Sequence, residues 1–270
     1  MVSFDAAFFD VEHLDRLARQ DTPVHRLDPR AKLLTTLAFL VCVVSIGPHE
    51  LTRLLPYFVF PVALGAAGRV PFRVVVRKVI AVAPFAVLLG IFNPLLDRRA
   101  ALALGPVLVS SGWISFGSLL LRFCLTVATA VVLIAVTSFN GLCLALDRLG
   151  LPRAFTLQLL FLYRYLFVLG EEAGRLARAR ALRSFGKRGL GLRVFGSLAG
   201  QLLLRTMARA QRIHLAMLCR GFEGEIRSPR ALRLRASDVT FAAGWTAVFL
   251  FLRLYDAPRL AGEAILRILG

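Results

Sequence analysis

The stretch "FGSLLLRFCLTVATAVVLIAVTSF", residues 116–139, decides the fold class. It carries one charge, Arg122, in 24 residues. As an α-helix it measures about 36 Å, more than the roughly 30 Å hydrocarbon core of a bilayer. A run this long and this apolar reads as a membrane span. Shorter apolar runs flank it at 33–46, 51–67 (interrupted by Pro61), 79–92 and 239–252. Helix punctuation separates them. Asp28-Pro29 supplies an N-cap and a first-turn proline, while Gly47-Pro48 and Asn93-Pro94 close the first and third runs. Residues 95–115 read as a mixed connection punctuated by Gly and Ser.

Composition agrees with these runs. Of 270 residues, 57% are hydrophobic and 21 are Phe. The mean hydropathy is +0.70. Such a chain is too apolar for an ordinary soluble domain. The formal net charge of +18 would suit a nucleic-acid binder, but a positive-inside bias produces the same surplus. The basic region 187–236 offers only Phe195 and Phe222 as stacking platforms, so nucleic acid ranks last among partners.

Charge also sets the expected topology. "GRVPFRVVVRK" holds Arg69, Arg73, Arg77 and Lys78 with no acid, and residues 171–236 hold 15 Lys+Arg against 4 Asp+Glu. Both segments therefore belong on the cytoplasmic side. The apolar stretch "FTLQLLFLYRYLFVLG", 155–170, is then expected not to cross, because crossing would export the most basic region. The expected architecture is an all-α polytopic membrane protein with five transmembrane helices, N-terminus in and C-terminus out. Residues 1–32 form an N-terminal cytoplasmic segment and 33–139 the first four spans. Residues 140–236 form a cytoplasmic or interfacial region of long amphipathic helices, and 237–270 the last span and tail. The acidic first 30 residues do not read as a signal peptide.

Several chemistries find no support. There is no G-x-x-x-x-G-K-[ST]; "FGKRG" at 185–189 lacks the upstream glycine and the hydroxyl residue. The chain is not expected to hydrolyse ATP or to perform any catalysis. No Asp, Glu or Lys falls within the five runs, and Arg122 is placed near the outer end of its span, which argues against ion-coupled secondary transport. Cys42, Cys124, Cys143 and Cys219 are scattered without C-x-x-C pairing, and His13, His25, His49 and His214 lack ligand spacing. Neither a disulfide framework nor a metal site is expected.

The distinctive feature lies in the basic region. Residues 171–188 and 197–220 read as amphipathic helices. Leu203, Met207, Ala210, His214 and Met217 mark an apolar face on the second, and Arg205, Arg209 and Arg212 mark a basic stripe. Each helix ends on an arginine, a small residue and a phenylalanine. Arg183-Ser184-Phe185 closes the first and Arg220-Gly221-Phe222 the second. An arginine in a last turn meets the helix dipole, and Gly221 suits a left-handed exit. A guanidinium fork beside a phenylalanine also fits a partner's cleft that offers carboxylates or carbonyls.

The chain resembles the transmembrane T component of energy-coupling-factor ABC importers, and most nearly the CbiQ family of cobalt systems. "HRLDPRAKLL" (25–34), "FNPLL" (92–96), "YRYLFVLGEEAGRLARARALRSFG" (163–186) and "AMLCRGFEG" (216–224) carry the likeness. The resemblance implies two coupling helices ending in Ala-Arg-Gly or Ala-Arg-Ser, each arginine engaging one ATPase subunit. The matching residues here are Leu182-Arg183-Ser184 and Cys219-Arg220-Gly221, with Leu and Cys in place of Ala. It further implies two CbiO-like ATPase subunits holding ATP and magnesium, and a CbiM-like capture subunit, with a CbiN-like small subunit as an optional member. This chain itself is expected to hold no cofactor. The implied location is the inner (plasma) membrane and the implied cargo cobalt; nickel- or vitamin-specific T components share these features. A membrane scaffold using its basic helices on anionic lipid is the alternative from another class.

Overall fold

The computed structural model describes residues 15, 17–18, 20–47, 50–96, 100–104, 107–183, 191–224 and 234–255. Two compact units divide the chain. One comprises Leu14–Ala145 and Leu232–Gly270, the other Met1–His13 and Leu146–Ala231.

The first unit is a helical bundle. Its elements are α1 (Pro23–Arg26), α2 (Pro29–Val44), α3 (Leu51–Leu54), a 3-10 turn (Leu55–Phe58), α4 (Val59–Ala67), α5 (Phe72–Gly90) and α6 (Phe92–Leu96). They continue with α7 (Ser111–Thr137), α8 (Phe139–Arg148, whose last residues begin the second unit) and, after that unit, α11 (Ala236–Leu254). α7 is the central post, packed by α2, α3, α4, α5 and α6, while α11 packs on α2. Phe39, Tyr57, Phe60, Trp245 and Phe249 interlock between α2, the 3-10 turn, α4 and α11. Their ring centroids lie 5.0–6.4 Å apart. Ser138 breaks α7 from α8: its φ is +60, and its Oγ accepts a hydrogen bond from Gly141 N–H at 3.2 Å.

Among the described residues, four helical stretches are long and apolar enough to cross a membrane: Phe72–Pro94, Ser111–Thr137, Arg153–Arg183 and Ala236–Leu254. Two contain the expected runs 79–92 and 239–252, and Ser111–Thr137 covers the expected run 116–139 up to the break at Ser138. The first two expected spans are shorter. α2 has 16 residues, about 24 Å, and the second run, Leu51–Ala67, is a shorter apolar helix interrupted by the 3-10 turn, so neither reaches the length of those four. The stretch 155–170 differs from expectation in the other direction. It runs without a break into the basic segment, and the combined helix satisfies the length and composition of a span. Ala, Leu, Glu and Arg dominate 171–183, so nothing there ends the helix.

Residues 95–115 also hold more than a connection. Strands β1 (Ala100–Leu104) and β2 (Val107–Ser110) pair antiparallel, with Leu104 opposite Val107 across Gly105-Pro106. Aliphatic runs bounded by a Gly-Pro turn signal are the local cause.

Charged groups fasten the bundle from inside. Asp28 caps α2 through Arg30 N–H at 2.9 Å, as the sequence predicts. Asp238 accepts from Asp28 N–H at 2.9 Å and from Arg235 N–H at 2.7 Å, tying the start of α11 to the start of α2. Lys32, 2% exposed, donates to Val136 O at 2.8 Å at the C-terminal end of α7. At the other end of α2, Arg122 donates to Ile46 O and Gly47 O at 2.7 and 2.6 Å, and Arg253 donates to Ser45 O at 3.0 Å. α7 begins five residues before the expected run, so Arg122 lies about 16 Å in from its N-terminus rather than near an end. It holds there the turn that follows α2, donating to Ile46 O and to Gly47 O, the latter also accepting from Glu50 N–H at 3.2 Å.

Candidate functional site: two arginine tips

The second unit contains α9 (Arg153–Arg183) and α10 (Leu192–Leu218), which pack on one another. An ion pair pins them: Glu172 on α9 accepts from Arg205 on α10 at 2.8 Å, and from its own-helix neighbour Arg175 at 2.7 Å. Glu172 is the less exposed partner, at 18% against 60% for Arg205.

Both candidate arginines lie beyond this pin. Arg183 is the last residue of α9, eleven positions past Glu172, about 16 Å along the helix. Arg220 follows the end of α10, with Leu218 about 20 Å past Arg205. Arg183, Arg220 and Gly221 are exposed, and Phe222 is half-buried. Among the described residues neither arginine forms an ion pair. Ser184 and Phe185 lie outside the described residues.

The second tip has a well-defined exit. Phe222 N–H donates to Met217 O at 3.0 Å and Gly221 N–H to Leu218 O at 3.0 Å, the paired bonds of a Schellman closure. Gly221 sits at φ +76 and Gly224 at +88, conformations that a side chain disfavours. These bonds satisfy terminal carbonyls with backbone donors, so the Arg220 guanidinium is not needed for that task. Cys219, immediately before it, is an exposed free thiol.

The apolar face of α10 is largely uncovered in this chain. Val194, Leu198, Leu202, Thr206, Arg209, Ile213 and Met217 are the partly covered positions, spaced 4, 4, 4, 3, 4, 4. Leu203 and Met207 stay 61% and 59% exposed, and Ala210 and His214 are exposed as well. Most of the expected apolar face is therefore exposed. The expected basic stripe is likewise divided, since Arg205 is spent on the Glu172 pin. That pin was not anticipated from sequence, although Glu171 and Glu172 are two of only four acids in the basic region.

Helices long and apolar enough to cross a membrane, with exposed arginines at the ends of two helices, define a multi-pass membrane protein. Comparison with known proteins is specific. The family model for the cobalt transport protein CbiQ matches residues 20–230. The energy-coupling factor transporter transmembrane protein EcfT of Heliobacterium modesticaldum is 28% identical over 254 residues, covering 87% of this chain and 94% of that protein. EcfT of Thermanaerovibrio acidaminovorans is 30% identical over 232 residues, covering 80% and 84%. The cobalt transport protein CbiQ of Salmonella typhimurium is 29% identical over 131 residues, covering 47% and 58%. The chain belongs to the CbiQ family, the transmembrane T components of energy-coupling-factor transporters.

Proposed function

We propose that this chain couples ATP hydrolysis by two separate ATPase subunits to uptake of a divalent metal ion, cobalt being the cargo favoured by the description of the matching family. The observation that supports coupling is the pair of exposed arginines, each at the end of its own helix and each beyond a shared ion-pair pin. Each guanidinium enters a cleft on one ATPase, which holds ATP and magnesium. Phe185 and Phe222 fill apolar space beside it, and Ser184 and Gly221 keep the helix exit narrow. The chain itself contributes no catalytic group.

Motion follows from differential contact. ATPase subunits that grip the tips differently when open and closed bias the helices; a grip equal in both states shifts nothing. The outward stripe of Leu203 and Met207, with the apolar half of α9, supports a separate capture subunit that recognises the ion. In this reading the protein lies in the plasma membrane, with the N-terminus and residues 171–236 cytoplasmic. Nickel or a vitamin remains the alternative cargo, because cargo choice resides in the capture subunit.

The test is uptake by the importer reconstituted in liposomes with ATP inside. Wild type should accumulate labelled cobalt, and Arg183→Ala plus Arg220→Ala should abolish accumulation while leaving the chain inserted. Uptake at the wild-type rate by the double variant would falsify the coupling role. Preference for nickel over cobalt in the wild-type complex would correct the cargo alone.

A further inference from the structure

The turn between α4 and α5 carries a second basic cluster that the coupling role leaves unused. α4 exits at Gly68, where an added Cβ would lie 2.5 Å from Val136 Cγ1, so only glycine allows this approach to α7. Arg69 follows in the left-handed region at φ +50. Bonds from Arg69 N–H to Ala66 O (3.1 Å) and from Val70 N–H to Gly65 O (2.9 Å) hold it there. Packing thus fixes the turn in a conformation that arginine does not prefer.

α5 then presents two different sides. Val74 and Val75 pack against the buried clusters of the bundle. Arg73 and Arg77, one turn apart, stand on another side and are exposed, as is Arg69 just before the helix. On the same helical face follow Ile80, Pro84, Leu88 and Ile91, all exposed, with Ile80 at 63% and Leu88 at 62%. One continuous stripe is therefore basic at the helix start and apolar for the rest of its length. No acid lies between residues 69 and 78, and α5 has no acidic residue in its first turn. The helix dipole adds to the positive field there. Phe72, 74% exposed, stands at the same level.

We infer that this end of α5 binds the phosphate of an anionic phospholipid through Arg69, Arg73 and Arg77, with an acyl chain lying along Ile80 to Ile91. Guanidinium forks bind phosphate oxygens well, and their aliphatic stems tolerate the apolar surroundings. The apolar continuation is what selects a lipid over a free anion, since inorganic phosphate gains nothing from Ile80 or Leu88.

The test uses the full chain in nanodiscs of equal phosphatidylglycerol and phosphatidylcholine, with retained lipids counted by native mass spectrometry. Wild type should retain phosphatidylglycerol selectively. Arg69→Gln, Arg73→Gln and Arg77→Gln together should weaken the tightest-held lipid on the order of 100-fold, the factor three arginines supply at a membrane surface. The matching triple Lys variant should keep most of the selectivity, which separates loss of charge from loss of fold. Unchanged selectivity in the Gln variant would overturn the assignment. So would displacement by millimolar inorganic phosphate, which would mark a simple anion site. Shielding of an Arg73→Cys label by another protein in the assembled importer would do the same, assigning this face to a protein partner.

Discussion

In the bundle, three charged side chains are turned inward onto backbone groups; in the α9–α10 pair, most charges are turned outward. Asp238, Lys32 and Arg122 each bind backbone groups of a neighbouring element, at 2.6–2.9 Å. Arg183 and Arg220 are exposed at helix ends, and the one described contact between charges of α9 and α10 is the Glu172–Arg205 pin. Inward charges bonded to helix ends specify which helices meet, because a mismatched partner would leave a buried polar group unpaired. Outward charges do little for the fold and are available to something else. Stability and attachment are thus assigned to different residues, which mutations can separate.

The largest effect is expected at Asp238. Asp238→Ala removes the acceptor of two backbone N–H groups, one of them buried, and should cost about 3 kcal/mol of bundle stability. A thermal melt in detergent reads this as a clear drop in midpoint; an unchanged midpoint would break the contrast between the regions. Arg122→Leu removes a donor from the Ile46 and Gly47 carbonyls after α2, of which Gly47 keeps its bond from Glu50 N–H, and should cost about 1 kcal/mol, read the same way. Gly221→Ala places a side chain at φ +76, a local cost of about 1 kcal/mol. Its melt should barely move while ATPase attachment weakens, which sharpens the distinction.

The smallest effect is a pH dependence at the N-terminal edge. Burial pushes the His25 imidazole below its ordinary value of 6.5, with Lys32 nearby acting in the same direction. The folded state therefore prefers neutral His25. Its contribution is complete above about pH 6.5 and is lost as pH falls towards the lowered folded value, because the unfolded chain takes up the proton first. Melts between pH 8 and 5.5 should show a decline in wild type that is shallower in His25→Gln; parallel curves would contradict it.

How much of this was legible in the sequence follows from the range of each interaction. Asp28 as an N-cap, α7 as a long apolar helix and Gly221 as a left-handed exit depend on neighbours a few residues away, and all three could be read. The Asp238 bond to Asp28 joins positions 210 residues apart, and no local pattern announces it. Lys32 looked like one more basic residue ahead of a span, yet it is buried on a carbonyl of α7. On α10, periodicity locates an apolar stripe without saying what covers it. Leu203 and Met207 keep their spacing and remain exposed, while Leu202 and Thr206 beside them are partly covered. For 155–170, a charge argument stopped the expected helix where the backbone had no reason to stop.

Cys219 offers the most direct check on attachment, since its exposed thiol adjoins Arg220 and no new cysteine is needed. Alkylation of Cys219 should be fast in the isolated chain and strongly slowed once the ATPase subunits are bound, with protection lost in Arg220→Glu. Equal alkylation rates with and without bound ATPase would contradict a grip at this tip.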